Sequence, residues 1–425
     1  MNSGVELSDA AVALACACLL MAPLALAGLA LANTGLGRSR SASHAMLSAL
    51  CVMGVAAVAW LVCGSAWQGF PGGPGHSMAI GGTDWDWIGA GRFFLGGVGR
   101  DGVVPALSAW LQIFCVGLAA LIPLGAGADR WRLSAACLST ALFAGWTYPL
   151  FAHWVWGGGW LAQLGAQHGL GGGFLDAGGA SSIHVAGGLT ALAIACIVGP
   201  RRGKFSAEGV AAIPGHNAVL VALGGMLALP GWIAINVAAA LLYHGATAEM
   251  LVVVAIDTTL AAGMGALGAA ALTRIRFGRP DASLCINGWF GGLAAASACS
   301  LYVAPAAAAA IGLVSGALAA LCVELLDLRA GIDDPGGSIS QHALGGICGL
   351  VAAGLFRGAI VAQLAGIATL IGFVFPLSYG INWLLDRVHH QRVSAEGEWQ
   401  GLDLYELGAG AYPEFVVHRE DLPQR

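Results

Sequence analysis

Eleven apolar stretches, each long enough to cross a membrane as a helix, run approximately through 10–31, 45–67, 103–124, 133–151, 177–198, 218–242, 250–272, 284–303, 306–326, 337–355 and 360–385. A spanning helix needs about 20 mainly apolar residues, and all eleven meet that length. The expected fold class is therefore an all-α polytopic membrane protein with eleven transmembrane helices. Composition agrees: the 425 residues are 58% hydrophobic and only 10% charged, a balance that no soluble domain of this size has. The first stretch is not a signal peptide, because it lacks a basic leading region, has Glu6 and Asp9 ahead of it and is long enough to span. The 66 glycines suit close packing between membrane helices.

Within these stretches lies a repeat. Asp176-Ala-Gly178-Gly179-x4-His184 and Asp334-Pro-Gly336-Gly337-x4-His342 share the pattern D-x-G-G-x4-H. Each aspartate is placed to cap a helix, and each histidine follows eight residues later, about 12 Å down a regular helix and near the middle of a hydrocarbon core roughly 30 Å thick. The two copies are five segments apart. An odd number reverses direction, so the two histidines enter from opposite faces and can meet near the midplane. This is the geometry of a 5+5 inverted repeat plus a final helix. The expected transmembrane domain is 1–386, with halves at about 10–200 and 212–356 and helix eleven at 360–386. A polar tail, 387–425, follows and is too short for a folded output domain.

Basic residues orient the chain. Arg38, Arg40, Arg130, Arg132, Arg201, Arg202, Lys204, Arg274, Arg276, Arg279, Arg329, Arg387, Arg392, Arg419 and Arg425 follow odd-numbered segments, against only Arg92, Arg100 and Arg357 on the other side. The expectation is N-terminus out and C-terminus in, in a cell (cytoplasmic) membrane, with long outer loops at 68–102 and 153–175. The 11 cysteines lie scattered in apolar segments without zinc or redox spacing and read as small helix residues. No cofactor or metal is implied. A single lysine, Lys204, and the lack of a basic stripe exclude a nucleic-acid role. No nucleophile–base pair or phosphate loop argues for an enzyme.

Further motifs complete a pattern along the chain: Val155-Trp156-Gly-Gly-Gly, Pro214-x-His216-Asn217, Asn287-Gly288, Asp333-Asp334-Pro335, His342-x3-Gly346-x2-Gly349, and Gly401-Leu402-Asp403-x2-Glu406-x-Gly408-x2-Ala411-Tyr412. In this order and spacing the chain resembles the Amt/Mep/Rh ammonium transporters over nearly its whole length. Trp156 places it nearer the Amt branch than the Rh branch. The resemblance implies a homotrimer with one conduction pore in each protomer, carrying ammonium or ammonia across the bilayer. It also implies a PII-type signalling protein as the usual cytoplasmic partner, and a tail that couples neighbouring subunits. The tail's polar residues would pair with Arg130, Arg132, Arg201 and Arg202.

A selective path for ammonium must use what potassium lacks, N–H donors and a removable proton. His184 and His342 fit, since a neutral imidazole offers one acceptor and one donor nitrogen. The resemblance places the family's twin pore histidines on them. It places the outer tryptophan, which recruits the cation, on Trp156; the plain alternative is a belt aromatic at the membrane surface, as for Trp154, Trp160 and Trp85. Asp176 has two compatible readings, helix cap and electrostatic support for the cation. The chain departs from the family at the upper pore. Two stacked phenylalanines usually gate it; here the first gate falls on Cys115, with Phe114 one residue away, and the second on Ile235. The outer-site serine falls on Ala239, which cannot accept a hydrogen bond. Asp257, within segment seven, reads either as part of a proton path or as a structural residue facing a subunit interface. Glu324 and Asp327 read as solvated ends of segment nine. Two competing functions stay open: an ammonium sensor that signals through its tail with little flux, and an electroneutral NH3 channel.

Overall fold

The computed structural model describes residues 7–413. Arg419, Arg425 and Glu6 lie outside them, as does the end of the tail. Eleven helices of spanning length and hydropathy follow one another: α1 (Asp9–Leu36), α2 (Ser39–Gln68), α3 (Val103–Gly127), α4 (Leu133–His168), α5 (Ala180–Val198), α6 (Ala218–His244), α7 (Ala248–Phe277), α8 (Ala282–Cys299), α9 (Pro305–Ala330), α10 (Ile339–Arg357) and α11 (Ile360–Val388). Two short helices, α12 (Ala395–Gln400) and α13 (Leu402–Leu407), form the described part of the tail.

The loop between α2 and α3 holds an antiparallel hairpin, β1 (Gly75–Ile80) and β2 (Thr83–Gly89), that the sequence reading left as a plain loop. The Asp84-Trp85-Asp86-Trp87 stretch is its second strand. Asp86 lies 3.1 Å from His153 Nε2, and the Trp87 carbonyl accepts the Trp154 indole N–H at 2.7 Å, so the hairpin is latched to α4. The stretch after Trp156 is likewise partly helical, since α4 resumes at Trp160. We refer to the hairpin face and, opposite it, the tail face.

The two halves contact each other reciprocally. A side chain on Gly28 would strike Gly224 and Ala228, and one on Gly224 would strike Gly28 and Ala32, where α1 crosses α6. Gly188 lies against Ala343, and Gly346 against Val185. These are the same motif positions exchanged: four residues after one histidine meets one residue after the other. Paired exchange of this kind is what a two-fold relation between halves produces. A third helix trio is sealed by small residues: Gly265 abuts Gly288 and Gly316, and Ala261 abuts Gly292 and Gly312, joining α7, α8 and α9.

On the tail face a buried ion cluster ties three loops together. Arg201 binds Asp333 with Nε and Nη2, both at 2.9 Å, and reaches Asp129 at 3.2 Å. Burial opposes the charge of Asp333, but the bonds from Arg201 and the nearby Arg130 charge outweigh it and hold the carboxyl below the usual range. Arg130, fully buried, donates to the carbonyls of Gly199, Ala128 and Asp333. Of the four arginines expected to pair with the tail, Arg202 does so, through Glu398; Arg130 and Arg201 are taken by the loop cluster, and no Arg132 ion pair is present among the described residues. Desolvated arginines need fixed partners close at hand, and Asp129 and Asp333 supply them. Glu324 and Asp327 are not free in solvent either: they pair with Arg276 and Lys204, each at 2.5 Å.

The tail docks on its own chain. Asp403 accepts the backbone N–H groups of Ser43 and His44 in the first turn of α2, at 3.2 and 2.7 Å. Glu406 accepts the Leu133 N–H and meets His44 Nε2 at 2.8 Å.

Two outcomes follow from this packing. A side chain at Gly188 or Gly346 must displace the opposite half, so Gly188→Val and Gly346→Val should each lose about 1–3 kcal/mol or more, whereas Gly263→Val, with open space at its Cβ, should lose little; thermal unfolding of the solubilised protein measures the difference. Arg201→Ala leaves buried Asp333 with only Arg130, 3.8 Å away, as an ionic partner, and should cost about 3 kcal/mol in the same assay.

Candidate functional site

The two motifs interrupt their helices before they begin. Gly179 and Gly337 adopt positive φ, 99° and 64°, which only glycine takes at low cost. The chain then enters a wide π turn, Ala180–Val185 in α5 and Ile339–Leu344 in α10. Each aspartate caps its turn. Asp176 Oδ1 accepts from the Gly179 and Ala180 N–H groups and Oδ2 from Ser181, all at 2.8 Å, and the Ser181 hydroxyl donates at 2.5 Å. Asp334 accepts from Ser338 at 3.0 Å and Ile339 at 2.7 Å. The first glycine of each motif donates its N–H to a helix of the opposite half or its partner: Gly178 to the Ser297 carbonyl in α8 at 2.6 Å, Gly336 to the Gly125 carbonyl in α3 at 3.0 Å.

This arrangement corrects the expected depth of the histidines. Residues 176–179 are not helical, so His184 and His342 stand in the opening π turn rather than eight residues down a regular helix. They still meet. Their ring centroids are 5.4 Å apart with planes 24° from parallel, and both are almost wholly buried. Trp232 of α6 stacks over both, 4.6 Å from His184 and 6.1 Å from His342. Phe290 of α8 completes a triangle with Trp232 and His342, 5.9 Å from the one and 6.3 Å from the other. Ser297 lies 3.4 Å from His184 Nε2. His184 Nδ1 and both nitrogens of His342 make no hydrogen bond among the described residues.

Above this pair, towards the hairpin face, Trp156 is buried. Its N–H donates to the Asp176 carbonyl at 3.2 Å, and one ring face stacks on Tyr243 at 5.3 Å. Tyr243 accepts from Gln112, which in turn accepts from Tyr148, at 2.8 and 2.7 Å. Sequence reasoning assigned no role to Gln112 or to either tyrosine. Gln363 of α11 was missed too; it bonds both the N–H and the C=O of Leu175, clamping the residue before Asp176. No spacing rule could announce a contact across 188 residues.

Cys115 and Ile235 are buried in α3 and α6, whereas Phe114 is half-buried and packs on Trp110, one turn back on its own helix. Ala239 is buried as well. Asp257 is fully buried in the single chain, so it does not face a subunit interface. Neither of its oxygens has a hydrogen-bond partner among the described residues. Its neighbour Thr258 is bonded to Asn236 at 3.1 Å. Among the described residues there is no cluster of three or more His, Cys, Asp or Glu side chains able to hold a metal ion.

A model of the Ammonium Transporter Family matches residues 11–412. The chain belongs to the ammonium transporter family. It is 32% identical to ammonium transporter Amt2 of Archaeoglobus fulgidus, over 91% of this chain and 84% of that one. It is 31% identical to the ammonium transporter of Bacillus subtilis, over 80% and 84%. Among solved structures, one named Sensor Amt Protein superposes with a TM-score of 0.84 at 26% identity, covering 93% of this chain and 98% of that one. The fold is also that of Mep2 from Candida albicans, with a TM-score of 0.79 over 100% of this chain and 94% of that one, at 22% identity.

The two caps differ in strength, and that difference is measurable. Losing a helix cap costs about 0.5–2 kcal/mol. Asp176→Ala should fall at the upper end, because it strands five donors, and Asp334→Ala lower, because it strands two; urea-free thermal unfolding of both variants in one detergent tests the order.

Proposed function

We propose that this transporter takes up NH4+ at the hairpin face near Trp156, deprotonates it above the histidine pair, and passes NH3 along His184 and His342 while the proton travels separately or is returned. The observation that carries the reading is the buried imidazole pair at 5.4 Å, covered by Trp232 and retaining ring nitrogens without protein partners. NH3 has three N–H donors and one lone pair. Neutral imidazoles offer the complementary acceptor and donor, while an apolar, water-poor surround makes a bare cation costly. Potassium has neither a proton to leave behind nor N–H groups to donate, so the same path rejects it. No bond-making chemistry beyond this proton transfer is required, which agrees with a transporter rather than an enzyme.

Trp156 contributes an aromatic face to the incoming cation, an attraction of about 0.5–2 kcal/mol. Its other face is held by Tyr243, and Asp176 acts through the cap that orients this entry. Cys115 and Ile235 form an apolar constriction between entry and histidines without the bulk of two aromatic rings. Ala239 lacks an acceptor, so outer cation binding is weak. The membrane domain, 1–386, sits in the cell membrane with the hairpin face outside and the tail face in the cytoplasm, as the distribution of basic residues supports. Exposed apolar side chains such as Val219, Met226, Val252 and Val314 cover the flanks of α6, α7 and α9 and suit lipid or the neighbouring protomers of a homotrimer. The tail, 387–425, is the contact point for a PII-type protein.

The test is an ammonium jump on purified protein in liposomes, read on a solid-supported membrane. Wild type should give a transient current, and the His184→Ala/His342→Ala variant none. Wild-type-like current in the double variant overturns the path. Flux seen only as an internal pH change would assign electroneutral NH3 passage, and ligand binding without either signal would assign a sensor.

A further inference from the structure

Ser297 of α8 sits where three groups converge on one hydroxyl. The Trp232 indole N–H lies 2.9 Å from Oγ, the Leu293 carbonyl 3.2 Å, and His184 Nε2 3.4 Å. A serine hydroxyl has one hydrogen and two acceptor positions. The indole is a donor only, so it takes one acceptor position. A carbonyl is an acceptor only, and four residues back along a helix it is the usual recipient of a serine proton. What remains towards His184 is a lone pair, and a lone pair can be met only by an N–H. We propose that Ser297 is a positioning residue that fixes His184 as the Nε2-protonated tautomer and leaves Nδ1 as a permanent acceptor for an ammonia N–H. The assignment rests on the reading of His184 as a conduction residue only for its use, not for its geometry.

The opposite tautomer fares worse on two counts. It sets the Ser297 and Leu293 oxygens against each other without a hydrogen between them. It also makes Nδ1 a buried donor, and Nδ1 makes no hydrogen bond among the described residues. Buried donors without partners are rarer in proteins than acceptors left under-used.

The second half of the repeat has no such device. The backbone part that Ser297 plays for Gly178, accepting its N–H, is played for Gly336 by Gly125, which has no side chain. Neither nitrogen of His342 is bonded among the described residues. The pair is thus unequal: His184 is held in one tautomer, and His342 is free to present a donor or an acceptor. A guest at the ring edges can accept from His342 while donating to His184, which is what NH3 with one lone pair and three hydrogens does.

Magic-angle-spinning NMR of protein labelled with 15N-histidine, in liposomes at neutral pH, reads the tautomer directly, with the His184 signals assigned by their loss in His184→Ala. Wild type should show one His184 tautomer with hydrogen on Nε2. Ser297→Ala, which keeps the shape of the site, should lose that single state. Trp232→Phe keeps the ring stack and the hydroxyl and should retain it. Hydrogen on Nδ1 in wild type, or a Ser297→Ala spectrum identical to wild type, overturns the assignment. A single Nε2 tautomer that is lost in Ser297→Ala, in protein carrying no ammonium flux, upholds the tautomer assignment and overturns the conduction reading instead.

Discussion

Two buried carboxylates hold this structure open at its centre. A helix that starts inside a membrane protein exposes N–H groups that lipid cannot satisfy, and leaving them bare costs several kcal/mol each. Asp176 and Asp334 remove that cost locally, within five residues of chain. The interruption they permit lets the chain approach the opposite half through Gly178 and Gly336 before any side chain intervenes. The π turns then rotate His184 and His342 towards each other. Without the caps the first turns would slide back into regular helix, and the rings would have no reason to meet. The clamps behind the caps follow the same need: Gln363 holds Leu175 on one face, and Arg201 holds Asp333 on the other.

Much of this was legible in the sequence, for an identifiable reason. Hydropathy counts residues against a fixed thickness, so all eleven spans appeared, most within a few residues of their ends. The D-x-G-G-x4-H repeat gave the meeting of His184 and His342, because a motif copied across an odd number of spans must face its twin. It also gave the cap. What it did not give was depth, since a straight helix from Asp176 was the only available ruler and glycine at positive φ breaks it. Nor did it give partners drawn from other segments. Ser297, Tyr243, Tyr148 and Gln363 are unremarkable letters in their own helices; only packing brings them to the site. The hairpin was missed although Asp84-Trp85-Asp86-Trp87 alternates as a strand does, because the run is short and the Gly-rich sequence around it reads as loop, and its latches are side chains of α4.

The upper pore shows how far a family pattern can be altered while its frame persists. The aromatic contact of Trp156 survives, yet it is secured by Tyr243 and a chain of hydrogen bonds through Gln112 and Tyr148. Cys115 and Ile235 are buried where bulkier rings are expected, and Phe114 has turned to Trp110 instead. An apolar constriction needs only to exclude water, and small apolar side chains can do so if the backbone closes in. Cation capture is the more demanding task, because it needs acceptors, and Ala239 supplies none.

Two of the buried acids of the membrane domain, Asp176 and Asp257, contrast in how their oxygens are met. Asp176 has both oxygens engaged in five hydrogen bonds, and giving up any of them loosens the turn that carries His184. Neither oxygen of Asp257 has a hydrogen-bond partner among the described residues. At the centre of the bundle stand imidazoles. The inverted repeat supplies two of them in equivalent backbone positions. The two sides differ in what the repeat does not copy: a serine on one side and a glycine on the other, aromatic rings towards the hairpin face and an ion cluster towards the tail face.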